Sequence, residues 1–463
     1  MSRYTGKISD ISMVVLKQPA RSTGQINRPL KSQQNLPSQL SYMSDYQTIS
    51  VSLLALAPLI GTLPQAASAQ LIEAAADSPQ TIITQQEHHT QIEGGVEANN
   101  NLFHRFDSFN VETGHNANFV TPASTQAVIG QVSGGNTSYI DGTLQVSGGD
   151  ADLYLINPAG ILFGPNSQLS LNGGFTATTA DQIEFGETWV DVATPQDYRQ
   201  IEAGPSAYKF TSQAPGSIVN HGDLAVADGN AIRLIGGDVT NTGNISAPAG
   251  EITLTAVPGE SLVRLGSANA LLNLEIEALP DSATSLALPE LLTGDSSASA
   301  TVLHTNDDGT VSLTGEVILT GALDVSSESQ AETGGEINVL GSSVEIHGAD
   351  LYADGGAGGG FIRVGGDYQG QSTLPTATEV TFDGTARANA IAGGNGGEVI
   401  LWSDGVTDFS GEISATGAAG GEGGFVETSG RSQLIVNDGA KVITSTPDGR
   451  LGNWLLGPTD LSV

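Results

Sequence analysis

The residues that could carry chemistry are few, and their spacing is poor for it. The seven histidines, at 88, 89, 104, 115, 221, 304 and 347, show no H-E-x-x-H or other ligand spacing, and a chain without cysteine has no thiolate metal site. The adjacent pair His88-His89 reads as a solvated strand or turn pair. Asp150 with Asp152 and Asp307 with Asp308 have the composition of an acid/base couple. Turn-forming and solubilising roles explain them more simply. The glycine clusters at 355–360, 393–397 and 420–424 match neither G-x-G-x-x-G nor the G-G-x-G-x-D calcium repeat, and no Lys-Ser/Thr pair follows them. They read as turns in which the backbone needs room. No cofactor and no metal is expected. The one enzymatic alternative is a secreted solenoid that cuts polysaccharides, which needs several acids and a cation converging on one exposed face.

These groups sit in a chain of 463 residues with 16 Lys and Arg against 50 Asp and Glu, a formal net charge of −34. Phosphate-backbone binding needs clustered cations, so nucleic acid is excluded as a partner. Before position 70 the basic residues are Arg3, Lys7, Lys17, Arg21, Arg28 and Lys31, followed by an apolar run from Ile49 to Ile60 and the small-residue stretch Ala67-Ser68-Ala69. A basic region, a short apolar core and an A-x-A site, in that order, describe a secretory signal segment over 1–69 cleaved after Ala69. The apolar run is too short for a full membrane span, and no other stretch approaches one, so no stable membrane insertion is expected. Export into an oxidising compartment permits disulfides. This chain uses none, so backbone pairing and packing must hold it together.

The elements that position everything else are short strands. Gly250-Glu251-Ile252-Thr253-Leu254, Gly309-Thr310-Val311-Ser312-Leu313, Gly335-Glu336-Ile337-Asn338-Val339, Gly360-Phe361-Ile362-Arg363-Val364, Gly397-Glu398-Val399-Ile400-Leu401 and Gly424-Phe425-Val426 each set apolar side chains at every second position after a glycine. Period two with turn residues between the runs predicts many short strands. Their recurrence at irregular but similar intervals predicts coils of an all-β solenoid, each burying its apolar side on the next. At roughly 20–25 residues per coil the mature chain makes on the order of 16 coils, each adding about 4.8 Å. The exposed ends need caps, because an open edge strand templates aggregation. Leu279 to Ala300 is interrupted by Pro and Ser and breaks the alternation. The expected division is therefore 1–69 signal segment, 70–278 first β domain, 279–300 a loop or extra element, and 301–463 further coils.

Residues 101–186 are the most specific part of the sequence. They contain Asn101-Leu102-Phe103-His104-Arg105-Phe106, Val132-Ser133-Gly134-Gly135-Asn136, Ile140-Asp141-Gly142-Thr143, the run from Ala151 through Asn157-Pro158-Ala159-Gly160-Ile161-Leu162-Phe163 to Asn166, and Gly173-Gly174-Phe175-Thr176-Ala177. This stretch resembles the haemagglutination-activity, or two-partner secretion, domain of filamentous-haemagglutinin-type exoproteins, especially the cyanobacterial branch. Gly396-Gly397-Glu398-Val399-Ile400-Leu401-Trp402, Gly423-Gly424-Phe425-Val426-Glu427-Thr428 and Trp454-Leu455-Leu456-Gly457-Pro458 resemble downstream coils of the same family.

The resemblance implies a single-stranded right-handed parallel β-helix with an N-terminal cap. It also implies a partner, an outer-membrane β-barrel transporter with periplasmic POTRA domains, which reads the N-terminal domain. Such a chain crosses the periplasm unfolded, folds outside and ends secreted or at the cell surface, acting as an adhesin on a host, cell-surface or glycan ligand. The family's secretion motif is N-P-N-G-I or a close variant. Asn157, Pro158, Gly160 and Ile161 match it, while Ala159 replaces the middle Asn. The second motif, N-P-N-L, is not found, and Thr121-Pro122 is its loose counterpart. On physical grounds Asn and Pro favour a turn, and Gly160 supplies φ freedom ahead of the next strand. Such a turn serves folding of the early coils, recognition, or both.

Overall fold

The computed structural model describes residues 71–78, 80–201, 203–264 and 315–457, together with the backbone of short strands at Lys7–Ile8, Ile11–Val15, Glu275–Ala278, Leu303–Thr305, Val311–Leu313 and Asp460–Ser462. Most of the expected signal segment, with Ala67 and Ala69, lies outside the described residues, as do 279–300 and the pair Asp307 and Asp308. Within the expected leader, Ile11–Val15 pairs in parallel with Asn453–Leu456.

Each turn of the chain contributes a strand to three parallel ladders, so the strands wind into a β-helix. One ladder runs through Asn101–Ser108, Ala127–Val132, Asp152–Ile156 and Phe175–Thr178, and later through Glu336–Leu340, Phe361–Val364 and Phe425–Gly430. A second runs through Ser138–Ile140, Ile161–Phe163 and Ile218–Asn220. The third begins with Asn116–Val120 and Thr143–Ser147. The register aligns like with like: Leu153, Phe175, Ile232, Ile252, Ile337, Ile362, Val399 and Val426 occupy successive rungs of one column. All eight are buried in one continuous core. Period-two alternation in the sequence is therefore the inside–outside alternation of each coil.

Among the described residues the stack holds fewer coils than the expected sixteen. The sheet of the third face has 12 strands, of which the first pair, Thr81–Gln86 with His89–Gly94, is antiparallel. Glu73–Ala74 and Val96–Ala98 also run antiparallel to Asn101–Ser108. These reversals cover the first coil's edge, which is the cap the solenoid requires. Coils are lost because the chain spends residues elsewhere. Gln182–Phe185, Thr188–Asp191, Pro205–Phe210, Ser261–Arg264 and Glu275–Ala278 form an antiparallel sheet beside the solenoid. Val311–Leu313 pairs antiparallel with Leu303–Thr305 rather than with a coil. The stack left after Glu251–Ala256 is resumed at Glu316–Leu319 and Glu336–Leu340.

The side sheet lies on the outward face of the first ladder. Phe103, Ile129, Tyr154 and Ile235 point outward from their strands and pack against Ile183, Phe185, Tyr208, Phe210 and Val263 in a second core. Those early strands are buried on both faces, which is why they read as continuous apolar runs.

One column fixes how closely the coils approach. The N–H groups of Phe361, Glu398, Phe425 and Asn453 donate to the carbonyls of Gly335, Gly360, Gly397 and Gly424, each one coil earlier. A Cβ on Gly397 would lie 2.1 Å from the Gly360 carbonyl oxygen, so the corner admits only glycine. We expect Gly397→Ala to cost about 2 kcal/mol or more, seen as a lower urea midpoint. Gly393→Ala, with no atom within 4 Å of the added carbon, should stay within about 0.5 kcal/mol of the parent.

Candidate functional site

The turn between Asp152–Ile156 and Ile161–Phe163 carries the matched motif. Asn157 is fully buried. Its Nδ2 donates to the Asn136 carbonyl at 2.9 Å and to Ser138 Oγ at 3.0 Å, and its Oδ1 accepts the Ala159 N–H at 3.0 Å. Its own N–H reaches the Thr178 carbonyl in the next coil, 3.0 Å away. One residue thus ties three successive coils, its side chain bonding to the preceding coil and its backbone N–H to the next. Pro158 and Ala159 are half-buried at the crest of the turn. Gly160 closes it, donating to the Asn157 carbonyl with φ of +113°, a conformation that disfavours side chains. Ile161 returns into the core. The structure therefore brings Asn157, Pro158, Gly160 and Ile161 together as one turn, with Asn157 facing inward.

That turn forms one wall of a cleft of about 320 Å³. Val132, Ser133 and Gly135 of the preceding coil supply the floor, and Asp181, Asp191, Val192, Ala193 and Thr211 of the side sheet supply the opposite wall. The wall is braced internally. Asp181 accepts the Thr211 N–H at 2.6 Å, and Asp191 accepts those of Ala193 and Thr194 at 2.9 and 3.0 Å. The carboxylates are engaged in shaping turns. The Thr211 hydroxyl donates to Asp181 and the Ser133 hydroxyl to the Phe106 carbonyl, so the polar side chains lining the cleft are taken up within the fold and the cleft offers a partner mainly surface and backbone.

Two motif stretches meet nearby. Asp141 Oδ1 accepts the Asn166 N–H at 2.9 Å, and the Thr113 hydroxyl and Asn166 amide donate to the same carboxylate. Burial pushes the Asp141 carboxyl up, but these hydrogen bonds outweigh it and hold the group below its usual range. Thr121-Pro122 is a tight turn, with the Thr125 N–H bonded to the Pro122 carbonyl. Of the weighed carboxylate pair, Asp150 accepts from the Asn172 amide at 3.0 Å and Asp152 from the Gly174 N–H at 2.7 Å. His88 packs edge-on against His115. Among the described residues there is no group of three or more His, Asp or Glu side chains placed to hold a metal, and no helix long and apolar enough to cross a membrane.

Sequence reasoning missed two residues of the 101–106 segment. Arg105 is nearly buried and donates to the carbonyls of Val192 and Thr194 at 3.0 and 2.8 Å while pairing with Asp77, so it ties the cap to the side sheet. No local pattern announces partners nearly ninety residues away. His104 is fully buried between Phe106 and Phe119, with Nδ1 3.3 Å from Thr81 Oγ1 and Nε2 without a partner.

Residues 69–313 match the family described as the TPS secretion domain. The match covers more than half of the chain, which belongs to that family. Its domain is a non-enzymatic secretion module of exoproteins that two-partner systems export across the outer membrane to the cell surface or extracellular space. Among individual proteins, the chain is similar to the tRNA nuclease CdiA-2 of Burkholderia pseudomallei (strain 1026b), 24% identical over 287 residues. That alignment takes in 47% of this chain and 9% of the much longer relative. Among solved structures it is similar to the HMW1 secretion domain of Haemophilus influenzae, at 22% identity and a TM-score of 0.45, over 84% of this chain and 98% of that one. It is also similar to the filamentous hemagglutinin secretion domain, at 14% identity and a TM-score of 0.33, over 84% and 100%.

Burial of His104 is expected to make the cap acid-sensitive. Burial lowers the His104 imidazole to about 4 from an ordinary 6.5. The unfolded chain therefore takes up a proton between those values that the folded chain refuses, and stability falls as pH drops through this window, by on the order of 3 kcal/mol at its lower end. Urea midpoints at pH 8 and pH 4.5 should separate less in His104→Gln than in the parent. An equal separation would place the acid sensitivity elsewhere.

Proposed function

We propose that this chain is an exoprotein read by an outer-membrane β-barrel transporter with periplasmic POTRA domains, and that it serves at the cell surface or outside it as an adhesin. In this reading the family-matched segment is the secretion module, the turn Asn157–Ile161 is part of the signal, and the coils from Glu316 onward are displayed structure. The observation that carries it is the position of the motif. Its crest, Pro158 and Ala159, borders an open cleft, while Asn157 beneath stitches three coils. A turn built only for stability needs no such opening.

The burial of Asn157 also defines when it can be read. In the folded coil its amide is fully engaged, so direct contact with that side chain is confined to the unfolded chain in transit. The crest remains reachable in both states. Folding outside the membrane then withdraws Asn157 into the stack, and each added coil makes backsliding costlier.

Expression beside the cognate transporter separates these roles. Asn157→Ala with Pro158→Ala is expected to lower extracellular protein by about tenfold, with degradation in the periplasm. Because several hydrogen bonds are lost, its refolded form should also be less stable by about 2 kcal/mol. Ala159→Arg fills the cleft and leaves the Asn157 bonds in place. It should lower secretion while the urea midpoint of the refolded protein is unchanged. Normal secretion of both variants would remove this turn from the signal.

A further inference from the structure

Beyond the family-matched residues, the outward face of the first ladder emerges from cover. Side-sheet residues pack over its early strands. In the later coils the loop after Phe361–Val364 folds back over the face, with Leu374 reaching the same second core. The loop is held tightly. Arg363 donates to Asp367 at 3.1 Å and to Glu336 at 2.5 Å, the Gln369 N–H donates to Glu427 at 3.1 Å, and Gly370 sits where a Cβ would meet the Trp402 indole at 2.6 Å. Its crest presents Tyr368, 44% exposed and edge-on to Phe425 at 5.6 Å between centroids.

Past this loop, Phe361, Glu398 and Phe425 occupy consecutive rungs of one outward column. Phe361 is 39% exposed in a chain where aromatics make up only 5% of residues and most of the largest fully buried side chains are aromatic. Glu398 is half-buried on the rung between the two phenylalanines, and its carboxylate makes no hydrogen bond or ion pair with the described side chains. Burial raises its carboxyl, against the attraction of Arg363 and with the repulsion of Asp367. The Arg363 guanidinium lies over the Phe361 ring, 5.4 Å from its centroid, and pairs with Glu336 and Asp367, so it backs one face of that ring and is not a free cation on this surface.

We propose that Phe361, Glu398, Phe425 and Tyr368 form a binding site for an extended, uncharged glycan lying along the stacking direction. Rungs are about 4.8 Å apart, so the two phenyl rings stand about 10 Å from one another. That separation is close to two sugar units of an extended β-linked chain, so alternate sugars stack on Phe361 and Phe425. Sugar hydroxyls donate to Glu398, while Tyr368 flanks the second ring. Acidic glycans are repelled by the carboxylates. The site deepens the adhesive half of the function proposed above and rests on it, but it lies outside residues 69–313.

The test uses the purified, refolded full chain, so it is independent of export. Calorimetric titration with cellohexaose, N-acetylchitohexaose and polygalacturonate is expected to show binding of a neutral hexamer and none of the polyanion. Phe361→Ala and Phe425→Ala should each weaken that binding about tenfold, and Glu398→Gln about threefold. Ile391→Ala, at an exposed residue outside this column, should bind as the parent does. Because Phe361 is at the surface, its variant keeps the parent circular dichroism. Three results would overturn the site: no binding of either neutral hexamer at millimolar concentration, unchanged affinity in both phenylalanine variants, or tighter binding of polygalacturonate.

Discussion

Everything in this molecule depends on one coil donating its backbone hydrogen bonds to the next. The strands of the parallel stack are short, three to six residues for the most part, and pair with strands of the neighbouring coils rather than within their own coil. Each inward side chain is buried only when the neighbouring coils are in place, as the column from Leu153 to Val426 illustrates. Stability is thus collective along the stack. Such a design needs no disulfide. It does need ends that are closed and corners at which two backbones can approach, and the antiparallel cap and the column from Gly335 to Gly424 meet those two demands.

That dependence explains what could be read in advance. Inside–outside alternation is a property of five or six consecutive residues, so the coils were legible wherever a glycine opened an alternating run. The run Gly309 to Leu313 has the same pattern, yet its strand pairs with Leu303–Thr305 off the stack. Alternation predicts a strand with one buried face and is silent on which partner buries it. The side sheet escaped for a similar reason. Gln182–Phe185 and Ser261–Arg264 both join Pro205–Phe210, although nearly eighty residues separate the first from the last, and no local signal encodes that pairing.

The site was legible to the same depth. Asn, Pro and Gly announce a turn, and the turn is there. What local chemistry could not give was the direction of the Asn157 amide, because its partners Asn136 and Ser138 belong to the preceding coil. His104 and Arg105 show the limit more sharply. In sequence they are two polar residues in an apolar phrase. In the fold one is a neutral ring sealed in the cap and the other a guanidinium bonded to carbonyls of the side sheet.

Burial of a motif also constrains how it can act. A side chain with no exposed surface cannot contribute contact energy to a partner that meets the folded protein. Whatever Asn157 contributes to recognition must be spent before its coil closes, and whatever it contributes afterwards is cohesion between coils. The two contributions draw on the same amide groups at different times, so they do not compete. Packing of its own coil on the preceding one satisfies the Asn157 amide through Asn136 and Ser138, and the next coil adds the Thr178 carbonyl to its N–H, so this residue is fully bonded only when three coils are in place.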